Sequence, residues 1–337
     1  MEQLGVALEV RSLASTPDIL VAVVNYNGID DTVECVQSLK QSTYDDFSLI
    51  VIDNGSTDDS ATMIRDRMPG IRIARIEQNL GYASAVNRAV EIGNKLGARF
   101  CLVLNNDLVV ESKTIESLAA SATRLNRVAA LGPMVLDYYQ SNRILALDEE
   151  IDLTTGWPIH SSLGDEDDGR WTELIPVNGY LDGCALMFNL RYFDEVGAMD
   201  ESFFLYYEES DWCYRARSRN YRLVVNPIAR VWHKVGRSTQ LIGGKLGYLV
   251  HRNRVIFEKR YATETQWLAF WAKLPWHTFI APRIRTTRTR LGNPPSIGLL
   301  ERAETILKGL VDGLFGGGIF AESYGLPHQA PTRHLAE

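Results

Sequence analysis

The sequence predicts an α/β fold with a mixed, mostly parallel central sheet flanked by helices. Two observations support this: apolar, β-branched segments alternate with amphipathic helical segments, and polar turns follow several of the apolar ones. The continuous apolar run 19–24 is typical of a strand buried on both faces. Right-handed crossovers bring the carboxyl ends of parallel strands to one edge of the sheet. Polar residues at that edge are therefore the first candidates for a ligand site.

The first half of the chain divides cleanly into strands and helices. Strands are expected at residues 19–24, 49–52, 71–76 and 100–104. Helices are expected after Asp30 and Asp31, over residues 79–91, and after Ser112, with Asp30, Asp31 and Ser112 as capping residues. Polar turns close three strands, at residues 25–28, 53–56 and 105–107. We expect these turns to lie together at the carboxyl edge of the sheet, which we call the rim.

After residue 128, strands and helices no longer alternate regularly. Residues 134–160 predict antiparallel strands, and 164–169 predict a solvated acidic loop. A helix is expected over 208–219, ending at Asn220, followed by strands at 221–225 and 229–233. From about residue 239 the chain becomes helical, aromatic and basic.

Charge and composition exclude several classes of protein. The formal net charge of -7 argues against nucleic acid as a partner, because phosphate neutralisation needs clustered lysine and arginine. No apolar run is long enough for a membrane-spanning helix, and Glu2 and Glu9 stand where a signal peptide would be positive. The four cysteines lack CxxC spacing and predict buried free thiols. A cytoplasmic protein is expected, with peripheral contact to the membrane face as an open alternative.

Three acidic side chains crowd the predicted helix start after the aromatic residues 203–207. They are Glu208, Glu209 and Asp211. Carboxylates this close repel one another. Two explanations stay open: a catalytic base tuned by its neighbours, or negative charge favoured by the N-terminus of a helix.

Five further segments, taken in order, resemble the family 2 glycosyltransferases. They are VAVVNYNG (21–28), VIDNGSTDDS (51–60), NLGYASAVNRAV (79–90), FCLVLNNDLVV (100–110) and VWHKVGRST (231–239). With the carboxylate segment, the similarity covers about residues 18–312 and is greatest to the bacterial rhamnosyltransferase-like branch. The resemblance implies a GT-A fold and an inverting transfer of a sugar from a nucleotide diphosphate to an acceptor hydroxyl.

The resemblance also implies a nucleotide site on the predicted rim. Asp53 can accept the imide N–H of uracil or thymine, although the turn that it begins would form without a ligand. Tight helix packing is the alternative for the small residues near Gly81. The nucleotide-binding candidates are Asn25, Tyr26, Asn27, Asp53, Asn79, Gly81, Asn87 and Asn106.

Metal and acceptor residues follow from the same similarity. Residues 105–107 occupy the place of the family's DxD motif, with asparagine instead of the first acid, so the metal should bind less tightly. Asp107 and His233 are the implied ligands of Mg²⁺ or Mn²⁺, although a structural histidine is the alternative for His233. The acceptor-side candidates are Asp182, Gly183 and Glu208.

The family pattern places the catalytic base at Glu209, where aspartate is usual, with Asp211 as the second choice. The expected substrates are a nucleotide-diphospho-sugar donor, with a pyrimidine base, and a glycan or lipid-linked acceptor. A nucleotidyltransferase is disfavoured because no glycine-rich, basic loop follows the first strand. A catalytically silent subunit that binds nucleotide sugars remains the alternative.

The expected organisation is an N-terminal extension (1–17), a catalytic domain (18–238, with a nucleotide half 18–110 and an acceptor half 128–238), a helical extension (239–315) and a mobile tail (316–337). The extension carries Trp267, Phe270, Trp271, Trp276 and Phe279, then Arg283, Arg285, Arg288 and Arg290. Three explanations stay open for it: a membrane-interface helix, a helical pair packed on the catalytic domain, or a homo-oligomer interface.

Overall fold

The computed structural model describes residues 18–235, 245–280, 299–316, 319–324 and 326. Its strands are β1 (Ile19–Asn25), β2 (Phe47–Asn54), β3 (Arg72–Ile76), β4 (Phe100–Asn105), β5 (Leu108–Val110), β6 (Val128–Asp137), β7 (Ile144–Ala146), β8 (Glu149–Asp152), β9 (Trp157–His160), β10 (Ile175–Pro176), β11 (Ala185–Asn189) and β12 (Arg222–His233). Its α-helices are α1 (Ile29–Leu39), α2 (Ser60–Arg67), α3 (Tyr82–Leu96), α4 (Thr114–Arg124), α5 (Leu190–Val196), α6 (Glu208–Ser218), α7 (Lys245–Tyr261), α8 (Glu264–Pro275) and α9 (Leu299–Phe315).

The main sheet is mixed, with the order β10-β12-β6-β11-β4-β1-β2-β3. Strands β4, β1, β2 and β3 run parallel to one another, whereas β11 lies between β4 and β6 and is antiparallel to both. The predicted sheet with flanking helices is confirmed. Every residue of β1 is buried, because apolar clusters cover both faces of the sheet.

Several predicted boundaries need correction. Helix α1 begins at Ile29 after Gly28, so Asp30 and Asp31 lie in its first turn and cap nothing. Helix α4 begins at Thr114 without a side-chain cap, so Ser112 is not its capping residue. Both helices are held by their buried apolar faces, which outweigh a missing cap.

In the second half of the chain, two predicted strands are one. The two strands expected between residues 221 and 233 form the single strand β12, with an irregularity in its pairing between Asn226 and Arg230. Only part of the region 134–160 is antiparallel, because β6 pairs parallel with β12. The acidic loop 164–169 is anchored by Arg230, whose Nε lies 2.7 Å from Asp167 Oδ2. Helix α6 ends as expected, with Asn220 left-handed at φ 59°.

The helical extension packs on itself and on the catalytic half. Phe270 is buried, and Trp267 and Trp271 pack against the same cluster between α7, α8 and α9. Phe270 is therefore a core residue, and the partly buried Trp267 and Trp271 pack against it, which supports a helical pair packed within the protein. Trp276 is 52% exposed, whereas Arg283, Arg285, Arg288 and Arg290 lie outside the described residues.

Part of the tail expected to be mobile packs on α7. Ala321–Tyr324 forms a 3-10 turn, and the Tyr324 ring stacks on Tyr248 of α7 with centroids 4.4 Å apart. Ala321 is buried in the same cluster as Tyr248, and the mobility of the tail stays a prediction. Residues 1–17 and 327–337 lie outside the described ranges. Among the described helices, none has the length and apolar character needed to cross a bilayer. All four cysteines are buried free thiols.

Candidate active site

The three polar turns meet at the carboxyl edge of the sheet, as predicted. Asn25 is paired with Asp53 on the neighbouring strand, and Val24 is paired with Asn105. A side-chain network joins the turns. Asn25 Nδ2 donates to Asp53 Oδ1 at 3.1 Å, and Asn106 Nδ2 donates to Asn25 Oδ1 at 3.3 Å. The rim is therefore one connected polar structure.

Asn25 organises this rim from inside the protein. Its side chain is fully buried, and its Oδ1 also accepts from Thr32 Oγ1 at 2.9 Å. Asn106 Nδ2 donates to the Gly28 carbonyl at 3.1 Å, so it ties the β4–β5 turn to the start of α1. Both amides are used within the fold. Their side chains therefore shape the rim, and direct contact of Asn25 and Asn106 with a nucleotide stays a prediction.

Asp53 has one oxygen committed to the rim and one that remains available. Its Oδ1 accepts from Asn25 and from Ser56 Oγ. Its buried Oδ2 accepts no hydrogen bond from the described part of the chain, although Arg75 Nε lies 3.5 Å away. A buried acceptor of this kind fits the imide N–H of a pyrimidine.

The remaining nucleotide-site candidates hold loops in place. Asn27, in the left-handed region at φ 51°, accepts the Thr57 N–H at 2.8 Å, and Tyr26 before it is half-buried. Asn79 Oδ1 accepts the Gly81 N–H at 2.9 Å.

Asn87 lies on α3, where it binds a neighbouring loop. It exchanges two hydrogen bonds with the Met199 backbone, at 2.9 and 3.0 Å. It is not among the residues that line the cavity described below. Asn87 is therefore placed as a structural contact, because its amide is matched to a backbone N–H and C=O.

Asp107 and His233 come together from distant parts of the sequence. Strand β5 pairs with the end of β12, and this brings His233 Nε2 within 3.2 Å of Asp107 Oδ1. Asp107 is 3% exposed. Burial acts to raise its pKa, but the charge of His233 and hydrogen bonds outweigh burial and hold the pKa below its usual value. The carboxylate therefore stays charged.

A cavity of about 310 Å³ opens beside this pair. Its lining includes every residue assigned to the metal and acceptor sides: Asp107, His233, Asp182, Gly183, Glu208 and Glu209. Tyr82 closes one side, because its hydroxyl donates to the Gly183 carbonyl at 2.5 Å. A Cβ on Gly183 would lie 3.3 Å from Glu209 Cγ, so glycine gives this side chain room. The nucleotide rim and the cavity thus meet at the β4–β5 turn.

Glu208 and Glu209 have unusual electrostatic surroundings. Glu208 is 3% exposed, and its Oε2 has no hydrogen-bond partner within the described ranges. Burial raises the pKa of Glu208 to about 7. Burial, together with the charges of Glu208 and Asp182, raises the pKa of Glu209 well above its usual range. A carboxylate of this kind can accept a proton near neutral pH.

Asp211 lies away from the cavity. It is fully buried, with Oδ2 accepting from Arg215 Nε at 2.9 Å and Oδ1 accepting from Arg260 Nη1 and the Tyr261 hydroxyl at 2.7 Å. Both oxygens are occupied, so the structure does not support Asp211 as a base. It joins α6 to α7.

The loop before α6 is held in a strained conformation. Phe204, Tyr206 and Tyr207 all have positive φ, at 65°, 69° and 72°. Side chains with a Cβ rarely adopt this region, and such residues persist where their surroundings enforce it. The Phe204 backbone also lies close to Gly81, because a Cβ on Gly81 would be 2.3 Å from the Phe204 carbonyl oxygen. Gly81 is therefore required by this close approach.

Two side chains from α7 hold this loop. Asn253 Nδ2 donates to the carbonyls of Phe203, Leu205 and Tyr206 at 2.8, 2.8 and 2.9 Å. Arg252 Nη2 donates to the Phe203 carbonyl at 3.0 Å. Sequence reasoning missed both residues, although they lie in a segment, 248–254, that resembles the rhamnosyltransferase-like branch. We call this pair the α7 clamp.

Other cavity residues were also missed. Glu149, Trp157 and His160 come from the β8–β9 hairpin, and Glu149 is paired with His160 across it. Predicting that Glu149 faces His160 requires the pairing register of the two strands, and the local sequence does not specify that register.

Solved structures establish the fold class. GalNAc-T7 with UDP, GalNAc and Mn²⁺ superposes with a TM-score of 0.59 at 16% identity, covering 93% of this chain and 59% of its own length. A mannosyltransferase from Pyrobaculum calidifontis, in complex with GDP-Man and Mn²⁺, gives 0.52 at 12% identity and covers 90% and 88%. The fold is the GT-A fold of glycosyltransferases.

Sequence comparison identifies the family. The profile of Glycosyl transferase family 2 matches residues 20–189. An N-acetylglucosaminyl-diphospho-decaprenol L-rhamnosyltransferase of Mycobacterium tuberculosis is 30% identical over 246 residues, which are 66% of this chain and 78% of that protein. A low-salt glycan biosynthesis hexosyltransferase of Haloferax volcanii is 27% identical over 218 residues, 60% and 62%. The chain belongs to glycosyl transferase family 2, in its rhamnosyltransferase-like branch.

Proposed function

We propose that this glycosyltransferase moves a sugar from a pyrimidine nucleotide diphosphate to a hydroxyl of a lipid-linked glycan, with inversion at the anomeric carbon, in cell-surface polysaccharide synthesis. One observation carries the proposal: a single cavity holds both the Asp107–His233 pair and the Glu208–Glu209 pair. The name of the mycobacterial relative supports L-rhamnose as the sugar and a lipid diphosphate acceptor. Such an acceptor would bring the enzyme to the cytoplasmic membrane surface.

Asp53 supports a pyrimidine donor, dTDP or UDP. The fold alone does not select the base, because its solved examples carry UDP in one case and GDP in another. Asp53 Oδ2, which lies 3.5 Å from Arg75 Nε and accepts no hydrogen bond from the described residues, can accept an imide N–H, which uracil and thymine both have.

The Asp107–His233 pair suits a divalent cation, Mg²⁺ or Mn²⁺. Neighbouring ligands of an octahedral ion at about 2.1 Å lie about 3 Å apart, and these two atoms are 3.2 Å apart. Within the described ranges no group of three or more acidic, histidine or cysteine ligands is found. The described residues thus offer two ligands, and the donor diphosphate and water would supply the others. A bound cation neutralises charge on the departing diphosphate.

Glu209 is assigned as the general base. It lines the cavity, and its raised pKa makes it a stronger acceptor for the proton of an acceptor hydroxyl. One base and one stabilised leaving group suffice for a single displacement, which inverts the sugar. Residues 18–238 are assigned as the catalytic domain, with the α7 clamp setting the geometry of the loop that leads into Glu209.

A donor screen tests this function. The full chain is incubated with dTDP-rhamnose, UDP-N-acetylglucosamine, UDP-glucose and GDP-mannose in the presence of Mn²⁺, and release of nucleoside diphosphate is measured with and without acceptor. We expect a pyrimidine donor to be hydrolysed slowly and transferred faster. A preference for GDP-mannose would contradict the pyrimidine assignment.

Asp53→Asn is the matched variant for the screen. It keeps the shape of the side chain but removes a charged acceptor, and hydrogen bonds to charged groups contribute about 1.5–3 kcal/mol. We expect pyrimidine nucleotides to bind at least about tenfold more weakly. Unchanged affinity would remove Asp53 from the base site.

A further inference from the structure

The β8–β9 hairpin forms a wall of the cavity that the assigned chemistry does not use. Its two strands lie outside the main sheet and pair only with each other among the described strands. Glu149, Trp157 and His160 of this hairpin line the same cavity as Glu209. A separate pair of strands that reaches into an active site can provide substrate contacts without altering the central sheet.

Trp157 is a rigid aromatic surface in this wall. The Arg254 guanidinium carbon lies 4.5 Å from the centre of its ring, and the His251 ring meets it edge-on at 5.7 Å. Arg254 is itself buried and fixed, with Nε donating to the Thr155 carbonyl at 2.6 Å. The guanidinium occupies one face of the indole, whereas Trp157 as a whole remains half-buried and lines the cavity. A ligand in the cavity therefore meets an aromatic surface that is already held in place.

His160 adds an oriented polar group next to this surface. Its Nδ1 lies 2.6 Å from Glu149 Oε1, and Glu149 is 3% exposed. A buried carboxylate on Nδ1 fixes the orientation of the ring, which leaves Nε2 for a hydrogen bond to a ligand. The His160 side chain is 20% exposed and lines the cavity, so Nε2 suits a ligand hydroxyl.

The charge of the cavity restricts the ligand further. Glu149, Asp182, Glu208 and Glu209 all line it. A substrate that brings another carboxylate would meet like charges in a poorly solvated space. A neutral sugar has an apolar C–H face for an indole and hydroxyls for a histidine, and it adds no charge.

We propose that Trp157, His160 and Glu149 form the acceptor subsite and bind the neutral pyranose ring that receives the sugar. Trp157 contacts the apolar face of the ring, His160 Nε2 forms a hydrogen bond with one of its hydroxyls, and Glu149 positions His160. Glu209 accepts the proton of the hydroxyl that attacks the donor. This inference rests on the proposed function and assigns the specificity of the same cavity.

The test separates acceptor binding from donor chemistry. The donor is the sugar nucleotide that the wild type hydrolyses fastest, and the acceptor is N-acetylglucosaminyl diphosphate on a farnesyl chain. We measure donor hydrolysis without acceptor and transfer over a range of acceptor concentrations. Trp157→Ala and His160→Gln are each expected to raise the acceptor KM about tenfold or more, with the donor KM unchanged.

Two further variants keep the test decisive. Trp157→Phe retains an aromatic face and should give a smaller rise in acceptor KM, even if Trp157→Ala folds poorly. Trp276→Ala removes an exposed tryptophan outside the cavity and should leave the acceptor KM unchanged.

The outcomes that overturn the subsite differ from those that overturn the function. If the wild type transfers sugar but all hairpin variants keep its acceptor KM, the subsite is refuted and the proposed function stands. A parallel rise in donor KM would place the hairpin in the donor site and also refutes the subsite. If the wild type hydrolyses no sugar nucleotide, both proposals fall. A glucuronyl acceptor used as well as the neutral one refutes the charge argument for the subsite.

Discussion

Replacing Glu208 by glutamine should change the pH dependence of both stability and catalysis. Burial raises the pKa of Glu208 from its ordinary 4.5 to about 7, a difference of about 2.5 units. At about 1.4 kcal/mol per unit this corresponds to at most about 3 kcal/mol. The folded protein binds the proton more tightly than the unfolded chain does. The contribution of Glu208 to stability is therefore fully present below pH 4.5 and is lost as the pH rises through about 7.

Glu208→Gln removes this charge while keeping the shape of the side chain. In metal-free buffer, we expect the variant to be more stable than the wild type by up to about 3 kcal/mol near pH 8, and to lose that advantage near pH 4. Urea unfolding at several pH values measures the difference. Glu173→Gln, on an exposed loop residue, is the matched control and should leave the pH dependence unchanged.

The same substitution should move the pH–rate profile. The negative charge of Glu208 contributes to the raised pKa of Glu209, so its removal lowers that pKa. If Glu209 is the base, the acidic limb of kcat shifts to lower pH in Glu208→Gln. Identical stability profiles in wild type and variant, or an acidic limb that moves to higher pH, would refute the electrostatic coupling of the two carboxylates.

Three further predictions follow from the site and its supports. Asp107→Ala and His233→Ala should each weaken nucleotide binding in Mn²⁺ but not in EDTA; a wild type that binds equally in both, by calorimetry, contradicts the metal assignment. Asn253→Ala leaves the Leu205 and Tyr206 carbonyls without their side-chain donor and should reduce the unfolding free energy by about 1–3 kcal/mol and kcat about tenfold, whereas Asn94→Ala on an exposed helix surface should do neither. Asp211→Asn should reduce the unfolding free energy by about 3–5 kcal/mol, because it breaks a buried ion pair, and a purely kinetic defect would contradict its structural role.

The parts of the fold that local pattern determines were predictable. The buried strands β1, β2 and β4 stand out as continuous apolar runs, and the turns after them meet on one rim because parallel strands end at the same edge. The crowding of Glu208 and Glu209 at a helix start was also visible, since their spacing is local.

Contacts between distant segments were not predictable from a single sequence. Asn253 reaches loop carbonyls 47 to 50 residues earlier in the chain, and no local pattern signals such a contact. Asn25 and Asn87 have the residue type of ligand contacts, but only the folded structure shows that their amides bind other parts of the protein. Asp211 was the second choice for the base because one of its partners is hidden in the sequence. Arg215 lies four residues away on α6, but Arg260 reaches Asp211 only through the packing of α7 on α6.

Turnover by Glu209→Gln tests the central claim most directly. Glutamine keeps the shape of the side chain but cannot accept the proton of the acceptor hydroxyl. With the donor and acceptor defined above, turnover should fall by about 10²–10⁴-fold while the nucleotide Kd stays close to that of the wild type. Turnover within a few-fold of the wild type would contradict Glu209 as the base, and a wild type with no turnover would indicate a silent nucleotide-sugar-binding subunit instead.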